Sequence, residues 1–449
     1  MHIHILAICG TFMGGIAALA KAAGHHVTGA DENVYPPMSE QLQALGIELI
    51  QGYAPTQLQP APDLVIIGNA LSRGNAAVEY VLEHKLPYMS GPQWLGQHYL
   101  RTRPVIAVAG THGKTTTTAM LVKILQQAGL DPGYLIGGAA LDFQHSAATG
   151  SGPFVIEADE YDTAFFDKRA KFVHYHPDVL VLNNLEYDHA DIYPSLAAIQ
   201  TQFHHLLRTV PGRGSIVHNS DDRNLDAVLG MGCWSKCSGF GQHSGDWRVQ
   251  LNSEDGSRLS FQHHGKQVTA LTWQHCGTHN AMNACAAIAA AATLGISPAD
   301  STQALHSFAG VRRRLELIHS NDELTIYDDF AHHPTAIAST LDGLRKRIGS
   351  AAALHVALEL RSNTMRSGEH KQQLAAALSA ADLVALRIPP HLSWDIDSVL
   401  SELVVPAQAF TGTSAMLDWL RLRQRPHQHM LFMSNGGFDN APRRYAQLA

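Results

Sequence analysis

The sequence predicts an α/β protein of about three domains, built from open sheets whose strands alternate with helices. Three observations carry this. A chain of 449 residues, 45% of them hydrophobic, has material for more than one core. Short apolar runs of strand length recur along it, each ending in a polar loop, and most lead into a helical pattern. One of these units, Val105–Met120 (VIAVAGTHGKTTTTAM), reads as strand, glycine loop and helix in the order that cradles a phosphate.

Charge and cysteine content narrow the function. Lys+Arg total 32 against 39 Asp+Glu, a formal charge of −7, with no basic block; a nucleic-acid footprint is excluded. The first residues, MHIHILAICG, carry no basic leader and read as a strand. No run reaches the ~18 apolar residues of a membrane span, so a soluble cytoplasmic protein with no membrane partner is expected. Five cysteines, an odd number, suit a reducing compartment. Cys233 and Cys237 lack a second ligand pair at zinc-finger spacing and read as free thiols.

Taken in order, Met1–Cys9 is a strand, followed by Gly10-Thr11-Phe12-Met13-Gly14-Gly15 and a helix to about Ala23, closed by Gly24. His26–Ala30 is the next strand, with Asp31 at its end. This is a βαβ nucleotide pattern with an acid about twenty positions on. Phe12 takes the place of the middle glycine that lets backbone approach a dinucleotide, so another diphosphate, such as that of a UDP-sugar, fits at least as well. Asp63–Gly68 sets Asn69 at a strand's carboxyl end, where ligands of open sheets sit. Asn75 is either a ligand contact or a turn former. Thr102-Arg103-Pro104 marks a linker.

The phosphate loop follows. Gly110, Thr111 and Gly113 give close backbone approach, Lys114 a point charge for β/γ-phosphates, and Thr115 a hydroxyl where Mg²⁺ would sit, with Thr116 beside it. Val108 stands at the first glycine position of the strict motif. Phe154–Ile156 leads into Glu157-Ala158-Asp159-Glu160-Tyr161-Asp162, and Val179–Leu182 into Asn183-Asn184-Leu185-Glu186-Tyr187-Asp188-His189. Acids at strand ends beside a phosphate loop suit a metal–nucleotide. Four carboxylates within Glu157–Asp162 also predict a cation nearby to offset their repulsion.

Gln200–Leu207 reads as a helix, Gly214–Val217 as a strand, and Asp246–Trp273 as hairpins turning at His264-Gly265-Lys266. Asn280, opening the alanine-rich helix, either caps it or reads an adenine edge. Arg312-Arg313-Arg314 marks another boundary and brings an arginine suited to a transferring phosphoryl group. Leu324–Tyr327 then leads into Asp328-Asp329-Phe330-Ala331-His332-His333, with Pro334 starting a helix. Leu354–Leu360 leads into Arg361-Ser362-Asn363-Thr364-Met365, Leu383–Ile388 is a strand, and Met430–Met433 leads into Ser434-Asn435-Gly436-Gly437.

Together GTHGKTT, EADEYD, NNLEYDH, HNAMNA, RRRLE and DDFAHHP resemble the Mur ligases, in family order and across nearly the whole chain. The resemblance implies three α/β domains: a Rossmann-like UDP-binding domain over 1–102, a central P-loop ATPase domain over 103–310, and a Rossmann-like peptide-binding domain over 311–449. It implies an ATP-dependent amide ligase acting on UDP-N-acetylmuramate through an acyl phosphate, with Mg²⁺ as cofactor. CGTFMGG, NVYPPMS, SGPQWL, RSNTM and MSNGGF are most similar to members that attach the recycled tripeptide L-Ala-γ-D-Glu-meso-diaminopimelate. The competing readings are attachment of L-alanine and a non-catalytic nucleotide or UDP-sugar sensor.

Residue by residue, the resemblance implies catalytic roles for Lys114 and Arg314, and ATP contacts from Gly110, Thr111, Gly113, Lys114, Thr115, Thr116, Asn280, Arg314 and Asp328; His332 is the catalytic candidate for the weak base that the attacking amine calls for. Thr115, Glu157 and His189 match metal ligands. Gly10, Thr11, Met13, Gly14 and Gly15 would hold the UDP diphosphate, with Asp31 and Asn69 as neighbours and His112 toward the muramyl carboxylate. Arg361, Asn363 and Met365 are expected at the tripeptide, a guanidinium fork suiting its carboxylates. Leu360 departs from the proline expected before RSNTM. The protein is expected as a monomer or weak homo-oligomer.

Overall fold

The computed structural model describes residues 1–34, 38–190 and 192–448; Tyr35, Pro36 and Pro37 of the NVYPPMS motif lie outside the described residues. Three sheets organise the chain. The first has five parallel strands in the order Glu48–Gln51, His26–Asp31, His2–Leu6, Leu64–Ile67 and Tyr88–Ser90. Sequence order reverses between His2–Leu6 and Leu64–Ile67. That is the switch point whose carboxyl-end crevice takes ligands. The helix Thr11–Ala22 starts there, with Gly10 as its N-cap.

The second sheet has ten strands. At its centre Ser215–Asn219, Val179–Leu182, Val105–Ala109, Phe154–Ala158 and Gly133–Leu135 run parallel. Buried along their whole length, Val105–Ala109 and Val179–Leu182 read as unbroken apolar runs. The hairpins Trp247–Leu251, Arg258–His263 and Lys266–Thr272 extend one edge antiparallel to one another, as the alternation predicts. Val108 is fully buried inside its strand, so the loop proper begins at Gly110. The alanine-rich helix Thr278–Thr293 is buried along most of its length beside Lys114–Gln127.

The third sheet has six strands in the order Glu316–Ser320, Leu324–Asp329, Gln428–Met433, Leu354–Glu359, Leu383–Arg387 and Ala407–Phe410, parallel except for the first. Pro334 does start a helix, Pro334–Ile348, and the His333 side chain caps it. Two acidic segments begin inside strands rather than after them: Glu157 lies in Phe154–Ala158, and Asp328 and Asp329 in Leu324–Asp329. Asn75 settles as a helix cap, its Oδ1 accepting the Ala77 and Val78 amides.

The sheets are packed together closely. A Cβ on Gly15 would lie 2.2 Å from Leu135 Cδ1 of the ten-stranded sheet, and one on Gly343 would lie 2.7 Å from Gly277 Cα. Arg347, at the end of the Pro334–Ile348 helix, donates to the carbonyls of Gln274 and His275 at 2.5 and 2.9 Å. Among the described residues, no helix is long and apolar enough to cross a membrane.

Candidate active site

All three sheets open onto one cleft of about 580 Å³. The N-terminal sheet contributes Thr11 and Phe12, the ten-stranded sheet the phosphate loop and the strand ends around it, and the C-terminal sheet the Arg314 and Phe330–His332 segments. The loop has the backbone its chemistry needs. Gly110 (φ +146°) and Gly113 (φ +79°) occupy conformations that side chains rarely adopt. A Cβ on Gly113 would also stand 2.3 Å from Asn283 Oδ1. The helix Lys114–Gln127 begins at this turn, and its unpaired first-turn N–H groups form an anion site.

Behind the loop the acids are individually matched. Lys114 Nζ donates to Glu160 Oε2 at 3.0 Å and to the Gly110 carbonyl at 2.6 Å. Thr115 donates its hydroxyl to Glu157 at 3.0 Å, and Glu157 also accepts the Gly137 amide at 2.8 Å. Lys171 pairs with Asp159 at 3.1 Å, and Lys168 with Asp162 at 2.6 Å. His189 lies 3.1 Å from Glu160 Oε1. Three of the four carboxylates, Asp159, Glu160 and Asp162, are therefore met by protein cations, and among the described residues only Glu157 is left without one. Thr115 and Glu157 present hard oxygen donors at the head of the phosphate loop, and His189 lines the same cleft, a set that fits Mg²⁺ with a nucleotide.

Electrostatics follow from this pairing. Burial works against the charges of Lys114 and Glu160, but their neighbours together outweigh it: Glu160, Asp159 and Glu157 raise Lys114, and Lys114 with His189 lowers Glu160 from its ordinary pKa. Asp159 goes down to about 2, since Lys171 and Lys114 overcome its burial. Arg314 is part-buried at the cleft wall, its guanidinium 4.8 Å from the Phe330 ring, with Asp329 as counter-charge. Burial takes His332 down to about 4. Its Nδ1 lies 2.9 Å from the Phe330 carbonyl, which can only accept, so the neutral ring carries its proton there and keeps a lone pair on Nε2.

The middle and C-terminal sheets also meet through acids. The Glu186 carboxylate lies 2.8 Å from His112 Nε2 and 3.3 Å from His333 Nδ1, and accepts the Thr335 hydroxyl at 2.9 Å. It thereby sits at the positive end of the Pro334–Ile348 helix. Asp188 Oδ1 accepts the His189 amide at 2.7 Å and the Thr364 hydroxyl at 2.8 Å.

Of the residues singled out from the sequence, Thr11, Thr111, His112, Gly113, Lys114, Thr115 and Thr116 line the cleft. So do Glu157, His189, Asn280, Arg314 and His332. Asn280 is not the helix cap; that position is Gly277, and Asn280 donates to the Cys276 carbonyl from the first turn. Asp328 lies behind the lining, 3.4 Å from Arg313. Met13 is buried, Gly14 faces Met38 and Gly15 faces Leu135, so these three lie beneath Thr11 and Phe12. Asp31 accepts the Cys9 amide at 2.9 Å, joining two strand ends, and Asn69 is exposed. Arg361 and Asn363 are exposed, with the Arg361 side chain lying over Gly436. Met365 departs from its expected place at a ligand: it is 2% exposed and packs into the C-terminal core. Glu160, Glu186, Asp188 and Thr364 were not singled out, because only the fold separates them from neighbouring acids and hydroxyls.

Three family descriptions match in sequence: "Mur ligase family, catalytic domain" over residues 2–103, "Mur ligase middle domain" over 108–291 and "Mur ligase, glutamate ligase domain" over 313–436. A UDP-N-acetylmuramate–L-alanyl-γ-D-glutamyl-meso-2,6-diaminoheptandioate ligase from Escherichia coli is 53% identical over 439 residues, 98% of this chain and 96% of the relative. The chain belongs to the Mur ligase family. A UDP-N-acetylmuramate–L-alanine ligase from Syntrophomonas wolfei is 32% identical over 86% of this chain and 81% of its own. The crystal structure of a murein peptide ligase from Psychrobacter arcticus, 43% identical, superposes with a TM-score of 0.76, covering 100% of this chain and 98% of that one. As a Mur ligase the chain is an ATP-dependent enzyme, and the expected three-domain α/β architecture is present.

Proposed function

We propose that this Mur ligase joins the tripeptide L-Ala-γ-D-Glu-meso-diaminopimelate to UDP-N-acetylmuramate at the expense of ATP, in the cytoplasm and in the recycling of wall peptide. The observation that carries the reaction class is the single cleft served by all three sheets, with Lys114, Thr115–Glu157 and Arg314 converging on it. The choice of tripeptide over alanine rests on 53% against 32% identity to the two kinds of relative.

In this reading residues 1–102 bind the UDP-sugar, 103–310 the ATP and 311–449 the peptide. The lactyl carboxylate of the muramyl group attacks the γ-phosphorus of ATP, ADP leaves, and an acyl phosphate results. Lys114 and Arg314 balance the charge spreading over the transferring oxygens. Thr115, Glu157 and His189 would hold Mg²⁺, which when bound neutralises phosphate charge. The free α-amino group of the peptide then attacks the acyl carbon, and phosphate departs. That amine has a reference pKa of about 7.7–8.0, so a useful fraction is neutral near pH 7. His332, neutral with a free lone pair, is the acceptor available for the proton the amine loses on bond formation.

The test is phosphate release from Mg-ATP and UDP-N-acetylmuramate with the tripeptide, with L-alanine and with no amine. Release with the tripeptide, together with a product of the ligated mass, supports the proposal. Release with alanine alone transfers the protein to the other branch, and binding without release leaves a sensor.

A further inference from the structure

The Asp188 carboxylate joins two parts of the molecule that 176 residues of sequence separate. On one side is His189, whose backbone amide it accepts and whose φ is +57°, in the left-handed region. The His189 ring reaches Glu160, and Glu160 holds Lys114. On the other side is Thr364 in the helix Asn363–Ser367. A helix of five residues has no stability of its own, so its position is set by what it touches. Those contacts include the Thr364 hydroxyl on Asp188, Met365 in the core beneath, Trp394 Nε1 donating to the Met365 carbonyl at 2.9 Å and Ser393 Oγ donating to the Arg366 carbonyl at 2.5 Å. Asp188 and Thr364 are 6% and 3% exposed, so water does not readily substitute for either partner.

We propose that the Asp188–Thr364 hydrogen bond is a coupling contact: it fixes the helix Asn363–Ser367, on the side where the amine substrate enters, to the loop that holds the phosphoryl-transfer residues. Asp188 and Thr364 are positioning residues. The inference rests on the ligase reading and adds to it how the acyl phosphate is kept for the amine. With the contact made, the helix stands in register with His189 and, through Glu160, with Lys114. With it broken, the phosphate side of the cleft still assembles from the middle sheet, but the amine side is no longer held against it. The acyl phosphate then meets water in place of the amine, water adding to the acyl carbon and phosphate leaving as in the productive step.

Thr364→Val removes the hydroxyl at nearly constant volume. The expected result is a KM for the tripeptide about tenfold higher, with the KM values for ATP and UDP-N-acetylmuramate unchanged. Phosphate released should also exceed product formed, where the wild type gives one phosphate per product. Thr364→Ser keeps a hydroxyl and should restore both readouts. A Thr364→Val enzyme with wild-type tripeptide KM and one-to-one stoichiometry would overturn the proposal. So would an equal rise in all three KM values, which is the mark of a loosened fold. Failure of the ligase reading looks different: the wild type itself then forms no tripeptide product.

Discussion

Lys114 Nζ and Glu160 Oε2 stand 3.0 Å apart with side-chain exposures of 12% and 2%, so the phosphate-loop lysine is held by an internal anion. Removing Glu160 leaves the ammonium its contact to the Gly110 carbonyl but takes away its paired carboxylate, and frees His189 as well. Glu160→Ala is expected to cost about 3 kcal/mol, the lower end for broken buried pairs because the cleft admits water. Urea unfolding without nucleotide measures it.

Arg314 is flanked by Phe330 and Asp329, and its guanidinium borders the same cleft as Lys114. Arg314→Lys keeps the charge but loses the planar fork and the stacking. Turnover should fall about 10²–10³-fold, as for loss of a preorganised donor to developing charge. Affinity for the UDP-sugar, measured by calorimetry, should change less than about threefold. Equal losses in both would remove Arg314 from the transferring phosphoryl group.

Asp328 has the opposite tendency to the acids behind the loop. Burial and the neighbouring Asp329 and Glu316 push it up to about 6, against the pull of Arg313. A carboxyl raised in the folded state costs stability once ionised. The penalty is absent below about pH 4, grows as pH rises toward the folded value, and is complete above it. Asp328→Asn should therefore be more stable than wild type by about 1–2 kcal/mol at pH 8, with the difference vanishing near pH 4. Thermal unfolding across that range tests the sign.

Gly15 is the contact point between the N-terminal helix and the ten-stranded sheet, with Leu135 Cδ1 where a Cβ would go. Leu135 is itself 2% exposed and has little room to retreat. Gly15→Ala should cost about 1–3 kcal/mol by overpacking, and Leu135→Ala in the same chain should return part of it.

The sequence made the repeated strand–loop–helix units legible because buried parallel strands leave unbroken apolar runs, as in Val105–Ala109 and Val179–Leu182. The phosphate loop was legible for a similar reason: Gly110, Gly113, Lys114 and Thr115 lie close in sequence, so their spacing alone carries the geometry. Contacts between distant segments were not. Nothing local distinguishes Glu160, which meets Lys114, from Asp162, which meets Lys168. Asp188 acquires its meaning only when Thr364 arrives from another sheet. Gly14 and Gly15 read as a diphosphate cradle; the structure adds that Met38 and Leu135 take the space where their Cβ atoms would lie, packing that a glycine pattern does not announce. Met365 was misplaced because a short helix hides which of its faces is buried.

Arg314 stands in the connection from the helix Pro298–His306 to the strand Glu316–Ser320 of the C-terminal sheet, flanked by Arg313 and Leu315, both with positive φ. The guanidinium is thus part of the tether on which the last third of the chain is mounted. On the proposed mechanism, a fragment ending before Arg314 would retain the phosphate loop and lack the group proposed to balance the charge of the transferring phosphoryl group. Fuel consumption would then require the chain to be made and folded past this tether.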